Sequence, residues 1–213
     1  MEVKTKDEMP ILFAEWYQII VNLHICKHNL NKLLEGENGV RYTHVHGSGF
    51  FDQHYRLLVF YAFILDLSKL FGSSKFDQVS MKLTLERIVK GGFDSQIVSM
   101  DESDIVGLKQ RAAAFLQEII ERSATLEKIK YFRDKNVAHR DIDFIDDPVT
   151  FGALSNLIQF SAKIYNGIGY YFAENVLFQF VHDWEIDKIL FFCEGYIKLS
   201  GEQEKTILAS YKG

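Results

Sequence analysis

Apolar positions recur with a helical period along most of the chain. After Pro10, the residues Leu12, Trp16, Ile19, Ile20, Leu23 and Cys26 return every three or four positions. That places them on one face of a helix running to about Leu34. Proline suits the first turn, where its missing N–H has no partner to lose, and the glycines of "LLEGENGV" close the far end. From about Gly49 to Phe71 the pattern changes. Phe51, Tyr55, Leu58, Phe60, Ile64, Leu67 and Phe71 cover much of a helix circumference, so this helix is expected at the centre of a bundle. "GSSK" ends it.

A shorter helix is expected over about 79–90, stopped by Gly91 and Gly92. Ser99 and Glu102 then stand at capping-box spacing, in which each side chain satisfies the other's free backbone N–H. The helix that follows ends near Ser123 and Thr125 or continues to about Val137, and periodicity supports both. Asp147 with Pro148 is a start signal, an N-cap carboxylate before proline at the first helical position. Leu154, Leu157, Ile158, Tyr165, Ile168 and Phe172 carry the period onward. "DWEIDKILFFCEGYI" predicts one more helix. The sum is an all-α fold, a bundle of five or six helices over residues 1–175, with 176–213 as a C-terminal helical extension packed on it.

Composition narrows the class. A chain of 213 residues suits one domain with an appended segment, and 47% hydrophobic residues can build a substantial core. Only two prolines occur, which argues against many short strands joined by turns. No apolar core follows the charges of "MEVKTKDEMP", and "LLVFYAFILDL" falls short of the roughly 20 residues a spanning helix takes. No membrane partner is therefore expected. Cys26 and Cys193 lie far apart in sequence, which fits a reduced, cytoplasmic setting.

A net charge of -5 disfavours a surface that is basic throughout, but the charge is uneven. Between Arg122 and Arg140 stand six Lys or Arg residues and two acids, followed at once by Asp141, Asp143, Asp146 and Asp147. Within this basic island, "YFRDKNVAHRD" gathers Arg133, Asp134, Asn136, His139 and Arg140. On an ideal helix Arg133, Asn136 and Arg140 fall within about 60° of one another, and His139 lies about 100° from Arg140. A tightened or fraying helix end near Ala138 would bring the imidazole toward Arg133.

These residue types suit one chemistry. A guanidinium grips two phosphate oxygens at once, and an imidazole exchanges a proton near neutral pH. Together they can cleave RNA without a metal. The base takes the 2′ proton, the 2′ oxygen attacks the neighbouring phosphorus, and the arginine stabilises charge developing on the phosphoryl oxygens. The plainer account is a solvated helix face, with Asp134 paired to Lys130 four residues earlier.

Other features carry less. His24 and His28 have the i,i+4 spacing of a metal pair, but no Cys, Asp or Glu completes a ligand set, so neither a metal nor a cofactor is expected. "HGSG" and "NGIG" follow no predicted strand. Gly47 and Gly49 read as loop or cap residues, and Gly167 and Gly169 as sites of close helix packing. Tyr165, Tyr170, Tyr171 and Phe172 read as core or interface.

Arg133, the acid beside it and His139 after five intervening residues resemble the motif of the HEPN superfamily, in which Arg is followed after four to six residues by His. "YFRDKNVAHRD", together with "FFDQHYRLLVFYAFILDLSKLFGSSK", is similar to the abortive-infection (AbiU-type) branch. The resemblance spans roughly residues 10–175 and has no counterpart for the tail. It implies an up-and-down helical bundle that forms a homodimer, with both motifs facing one cleft and metal-independent cleavage of RNA. Arg133 and His139 become the catalytic pair and Asp134 the residue that orients or tunes them. Asn136, Arg140 and Lys130 are candidates for RNA contact. The resemblance implies a toxin or phage-defence role, with a neutralising antitoxin, such as one of nucleotidyltransferase type, as partner. Two other readings stay open: a non-catalytic module that binds RNA, a nucleotide or a protein partner, and a scaffold whose charged motif is surface decoration.

Overall fold

The computed structural model describes residues 8–34, 56–74, 77–91, 100–138, 149–172, 198, 200–203 and 205. Among them the fold is all-α, without a strand. The helices are α1 (Glu8–Leu34), α2 (Arg56–Phe71), α3 (Met81–Val89), α4 (Glu102–Glu121), α5 (Ser123–Phe132) and α6 (Phe151–Phe172), and α5 runs directly into a π-helix, Arg133–Ala138. Among the described residues no helix is long and apolar enough to cross a membrane. Chain contacts divide into two units. One is Met1–His24 with Phe63–Phe180, and the other is Ile25–Ala62 with Val181–Gly213. The tail helix expected in "DWEIDKILFFCEGYI" lies outside the described residues; residues 198, 200–203 and 205 are helical.

The core of the first unit follows the predicted period with additions, although Leu12 is only half-buried. Met9, Phe13, Trp16, Ile19, Ile20 and Leu23 form the buried face of α1. α2 buries Phe63, Ile64, Leu67, Leu70 and Phe71 but leaves Leu65 38% exposed. It is therefore not enclosed on all sides, although its composition predicted that. α6 meets three other helices through its rings. Its Tyr165 and Phe172 touch Phe13 of α1 at 5.6 and 5.8 Å between ring centroids, its Phe151 and Phe160 stack on Phe63 and Phe71 of α2, and Phe160 meets Phe115 of α4 edge-on. Aromatic rings bury large areas, so a ring-bearing stripe can hold three helices even where each contact is small. Tyr165 belongs to that core, whereas Tyr170 is 75% exposed.

Burial, and after it the neighbouring Tyr17, pushes the Tyr165 phenol above its ordinary pKa of 10.0. The folded chain thus keeps the proton more tightly than the unfolded chain. That contribution to stability is complete below about pH 10 and is lost as pH rises through the elevated folded value. Tyr165→Phe is expected to unfold less steeply with pH above this point. Thermal melts across the alkaline range measure it, and parallel curves for the two proteins would refute it.

Three helix ends have identifiable causes. The helix over 102–121 does not use the expected capping box: Ser99 lies outside the described residues, and Asp101 occupies the N-cap without a side-chain cap bond. Glu102 and Asp104 place carboxylates in the first turn, where the helix dipole favours them. Asp147 and Pro148 also lie outside the described residues. α6 starts at Phe151, and Thr150 is its cap, its Oγ1 accepting the Ala153 N–H at 3.2 Å. The break between α4 and α5 falls at Arg122. Its guanidinium donates to the Glu118 carbonyl at 2.7 Å, and its own N–H turns to Ile119 at 3.1 Å. Arg122 also rests on the Phe160 ring, 4.2 Å from its centroid. The side chain takes the carbonyl that the uninterrupted helix would have used, and the helix restarts with the Leu126 N–H bonded to the Arg122 carbonyl.

The α2–α3 connection is fixed by polar contacts. Ser80 caps α3, accepting from the Leu83 N–H at 3.3 Å while its hydroxyl donates to the Gly72 carbonyl. The Asp77 carboxylate accepts the Ser74 N–H at 2.8 Å. A Cβ on Gly72 would collide with that carboxylate and with the Ser68 carbonyl, so only glycine fits. Because Ser80 is 1% exposed, Ser80→Ala removes two bonds and leaves a carbonyl and an N–H short of partners. The expected loss is about 1–3 kcal/mol, read from chemical unfolding midpoints. Of the two glycines in "NGIG", Gly167 lies against the Phe115 ring, where a Cβ would come within 2.7 Å of Cζ. At Gly169 a Cβ would meet only Phe13, at an ordinary 3.7 Å.

Candidate nucleic-acid site

The basic segment is helical as expected, but its turns widen. From Arg133 to Ala138 the backbone forms a π-helix, with i→i+5 rather than i→i+4 hydrogen bonds. The 60° arc for Arg133, Asn136 and Arg140 assumed α-helical turns and does not carry over. The turn that reaches Ala138 is widened and not tightened, and whether the end frays lies outside the described residues. His139 and Arg140 lie outside the described residues, as does the side chain of Asn136. Short π segments occur often at functional sites because they shift the register of the side chains that follow.

Arg133 sits at the junction. Its backbone N–H donates to the carbonyls of Ile129 and Lys130, and its side chain is 31% exposed. Nε donates to Asp134 Oδ1 at 2.8 Å, and Nη2 lies 2.7 Å from the same oxygen. A half-exposed pair of this kind contributes little to stability, but two contacts to one carboxylate oxygen fix the plane of the guanidinium. Arginine has five N–H donors. Two are engaged by Asp134, and the other three have no partner among the described residues. Asp134 thus pairs with its neighbour and not with Lys130.

Arg133 opens on a cleft of about 310 Å³ inside the first unit. Its walls come from the end of α2 (Leu67, Ser68, Phe71), the following loop (Gly72, Ser73, Ser74, Asp77), Lys82 of α3, the end of α4 with Ser123 beyond it, and the face of α5 that carries Glu127 and Lys130. Lys130 and Arg133 therefore line the same cleft. Lys82, Glu127 and Asp77 were not singled out from sequence. Nothing local marks them, because Lys82 reaches the motif only through packing of α3 against α4. Arg122, counted in the basic island, does not line this cleft; its charge faces Glu118 at 3.4 Å and the Phe160 ring. Ser68 is 9% exposed, and its hydroxyl has no hydrogen-bond partner among the described residues. An unpaired buried hydroxyl costs about 1–3 kcal/mol.

The electrostatics are mixed. Neither Lys82 nor Lys130 forms an ion pair or hydrogen bond among the described residues, while Asp77 is occupied by the loop. Two such ammonium groups in one cleft with a partly free guanidinium can hold a phosphate oxygen. No known protein family, no curated protein and no solved structure matches this chain.

Proposed function

We propose that this chain is a metal-independent endoribonuclease of HEPN type, acting as a homodimer in a toxin–antitoxin or phage-defence setting. The observation that carries the reading is Arg133. Its guanidinium is oriented by Asp134, keeps three donors free among the described residues, and opens on a cleft that also holds Lys130. In the proposed reaction His139 takes the 2′ proton, and the 2′ oxygen bonds to phosphorus as the bond to the 5′ oxygen breaks. The departing oxygen takes up a proton. Arg133 stabilises the extra charge on the phosphoryl oxygens at the midpoint. The products are one strand ending in a 2′,3′-cyclic phosphate and one beginning with a 5′ hydroxyl.

Incubation of the whole chain with RNA in chelator tests this. Strands with cyclic phosphate ends are expected, and 2′-O-methyl RNA should stay intact because it lacks the nucleophile. Intact RNA, or equal cutting of both substrates, would overturn the reading. A second reading, binding without cleavage, is favoured by Lys82 and Lys130 in the cleft, which form no ion pair among the described residues and need no histidine to hold a phosphate. It predicts RNA bound to the chain with no cyclic phosphate product.

A further inference from the structure

The walls of the cleft are of two kinds. One part is apolar: Leu67 and Phe71 are buried, while Ile120 at the same cleft is 60% exposed and leaves apolar surface open to a ligand. The other part is charged, with Lys82, Lys130 and Arg133. A simple anion would neutralise the lysines and leave the isoleucine wet. A purely apolar ligand would do the reverse. The volume is near the lower end of small-molecule sites, roughly 300–1,000 Å³. The ligand class that matches both walls at this size carries a flat, weakly hydrated ring and an anionic group a few bonds away.

We propose that this cleft is a nucleotide subsite, in which Lys82 and Lys130 hold the phosphate beside Arg133 and the wall at Ile120 covers the base. Glu127 is exposed and has no partner among the described residues, and it accepts hydrogen bonds from ribose hydroxyls or a base amino group. The same carboxylate repels a multiply charged ion that lacks such donors, which gives the site a preference for a nucleotide over free phosphate. The choice of ligand rests on the RNA reading above. The subsite adds to it a place for a nucleotide neighbouring the scissile phosphate, built from α2, α3, α4 and α5 of one protomer.

Calorimetric titration of the whole chain tests the assignment, using adenosine 5′-monophosphate, adenosine, inorganic phosphate and an uncleavable 2′-O-methyl oligoribonucleotide. The mononucleotide is expected to bind more tightly than adenosine or phosphate alone. Lys82→Gln and Lys130→Gln, both outside the core, are each expected to weaken it about ten-fold. Ile120→Asn is expected to weaken it as well, with phosphate binding unchanged. Competition between oligonucleotide and mononucleotide assigns the site to a strand, and mononucleotide binding without competition assigns it to a free nucleotide; both uphold the subsite. No heat with the mononucleotide, equal affinity for inorganic phosphate, or wild-type affinity in both lysine variants would overturn it. RNA cleavage without mononucleotide binding removes the subsite and leaves the nuclease. Lys82-dependent binding without cleavage does the opposite.

Discussion

Arg133→Ala is expected to slow RNA cleavage by about a hundred- to a thousand-fold while leaving the fold intact. The magnitude is that of removing one preorganised donor from charge that develops in a transition state. The fold should survive because the side chain is 31% exposed and its ion pair among the described residues is with the adjacent Asp134. Surface changes of this kind shift stability by about 0.5 kcal/mol or less. Arg133→Lys keeps the charge but cannot present two parallel donors, so it should recover only part of the rate. Asp134→Ala leaves the guanidinium present but unfixed, and a loss of roughly ten- to a hundred-fold is expected from misplacement. His139→Ala should cost about 10²–10⁴-fold, the usual range for a positioned acid or base. Initial rates in chelator, with thermal melts as a control on folding, measure the series. Wild-type rates for Arg133→Ala and His139→Ala would remove the assigned pair.

The largest effect on stability is expected at Trp16. It is fully buried, meets Phe13 edge-on with ring centroids 5.1 Å apart, and donates its indole N–H to the Val79 carbonyl at 2.7 Å. That bond ties α1 to the turn entering α3, and α3 supplies Lys82 to the cleft. Trp16→Ala removes the ring and leaves a cavity, at a cost of about 3–5 kcal/mol. Against a total stability of about 5–15 kcal/mol for a domain, this is a large fraction. Trp16→Phe retains most of the packing but leaves the Val79 carbonyl without its donor, so a loss of about 1–3 kcal/mol is expected. Urea unfolding measures both. The midpoint should fall in this order with an unchanged slope, because a change in slope would mean a change in the unfolded or folded ensemble instead. Equal losses for the two variants would show that the hydrogen bond matters and the ring volume does not.

Helical periodicity is a local property, and so much of the fold could be read in advance. The buried face of α1 around Trp16, Ile20 and Leu23, the short α3 and the apolar stripe of α6 all stand where three- and four-residue spacing puts them. One contact at Arg133 is local in the same way. Arg133 and Asp134 are adjacent in sequence, and their pairing needs no remote partner. Local signals were weaker at helix ends. Thr150, which no local signal singled out, caps α6, and the π-turn at Arg133 has no marker in residue spacing.

What the sequence determined alone is the all-helical class, the apolar faces and the charged segment around Arg133. What only tertiary packing decided is which helices the rings of α6 meet, where the helix breaks at Arg122, and which side chains share the cleft. Those outcomes depend on residues far apart along the chain: Phe160 under Arg122, Val79 against Trp16, and Lys82 carried toward Arg133 by the packing of α3. A repeat of three or four residues records which side of a helix turns inward. It holds no information about which helix waits there, and that is settled by the fit of whole surfaces.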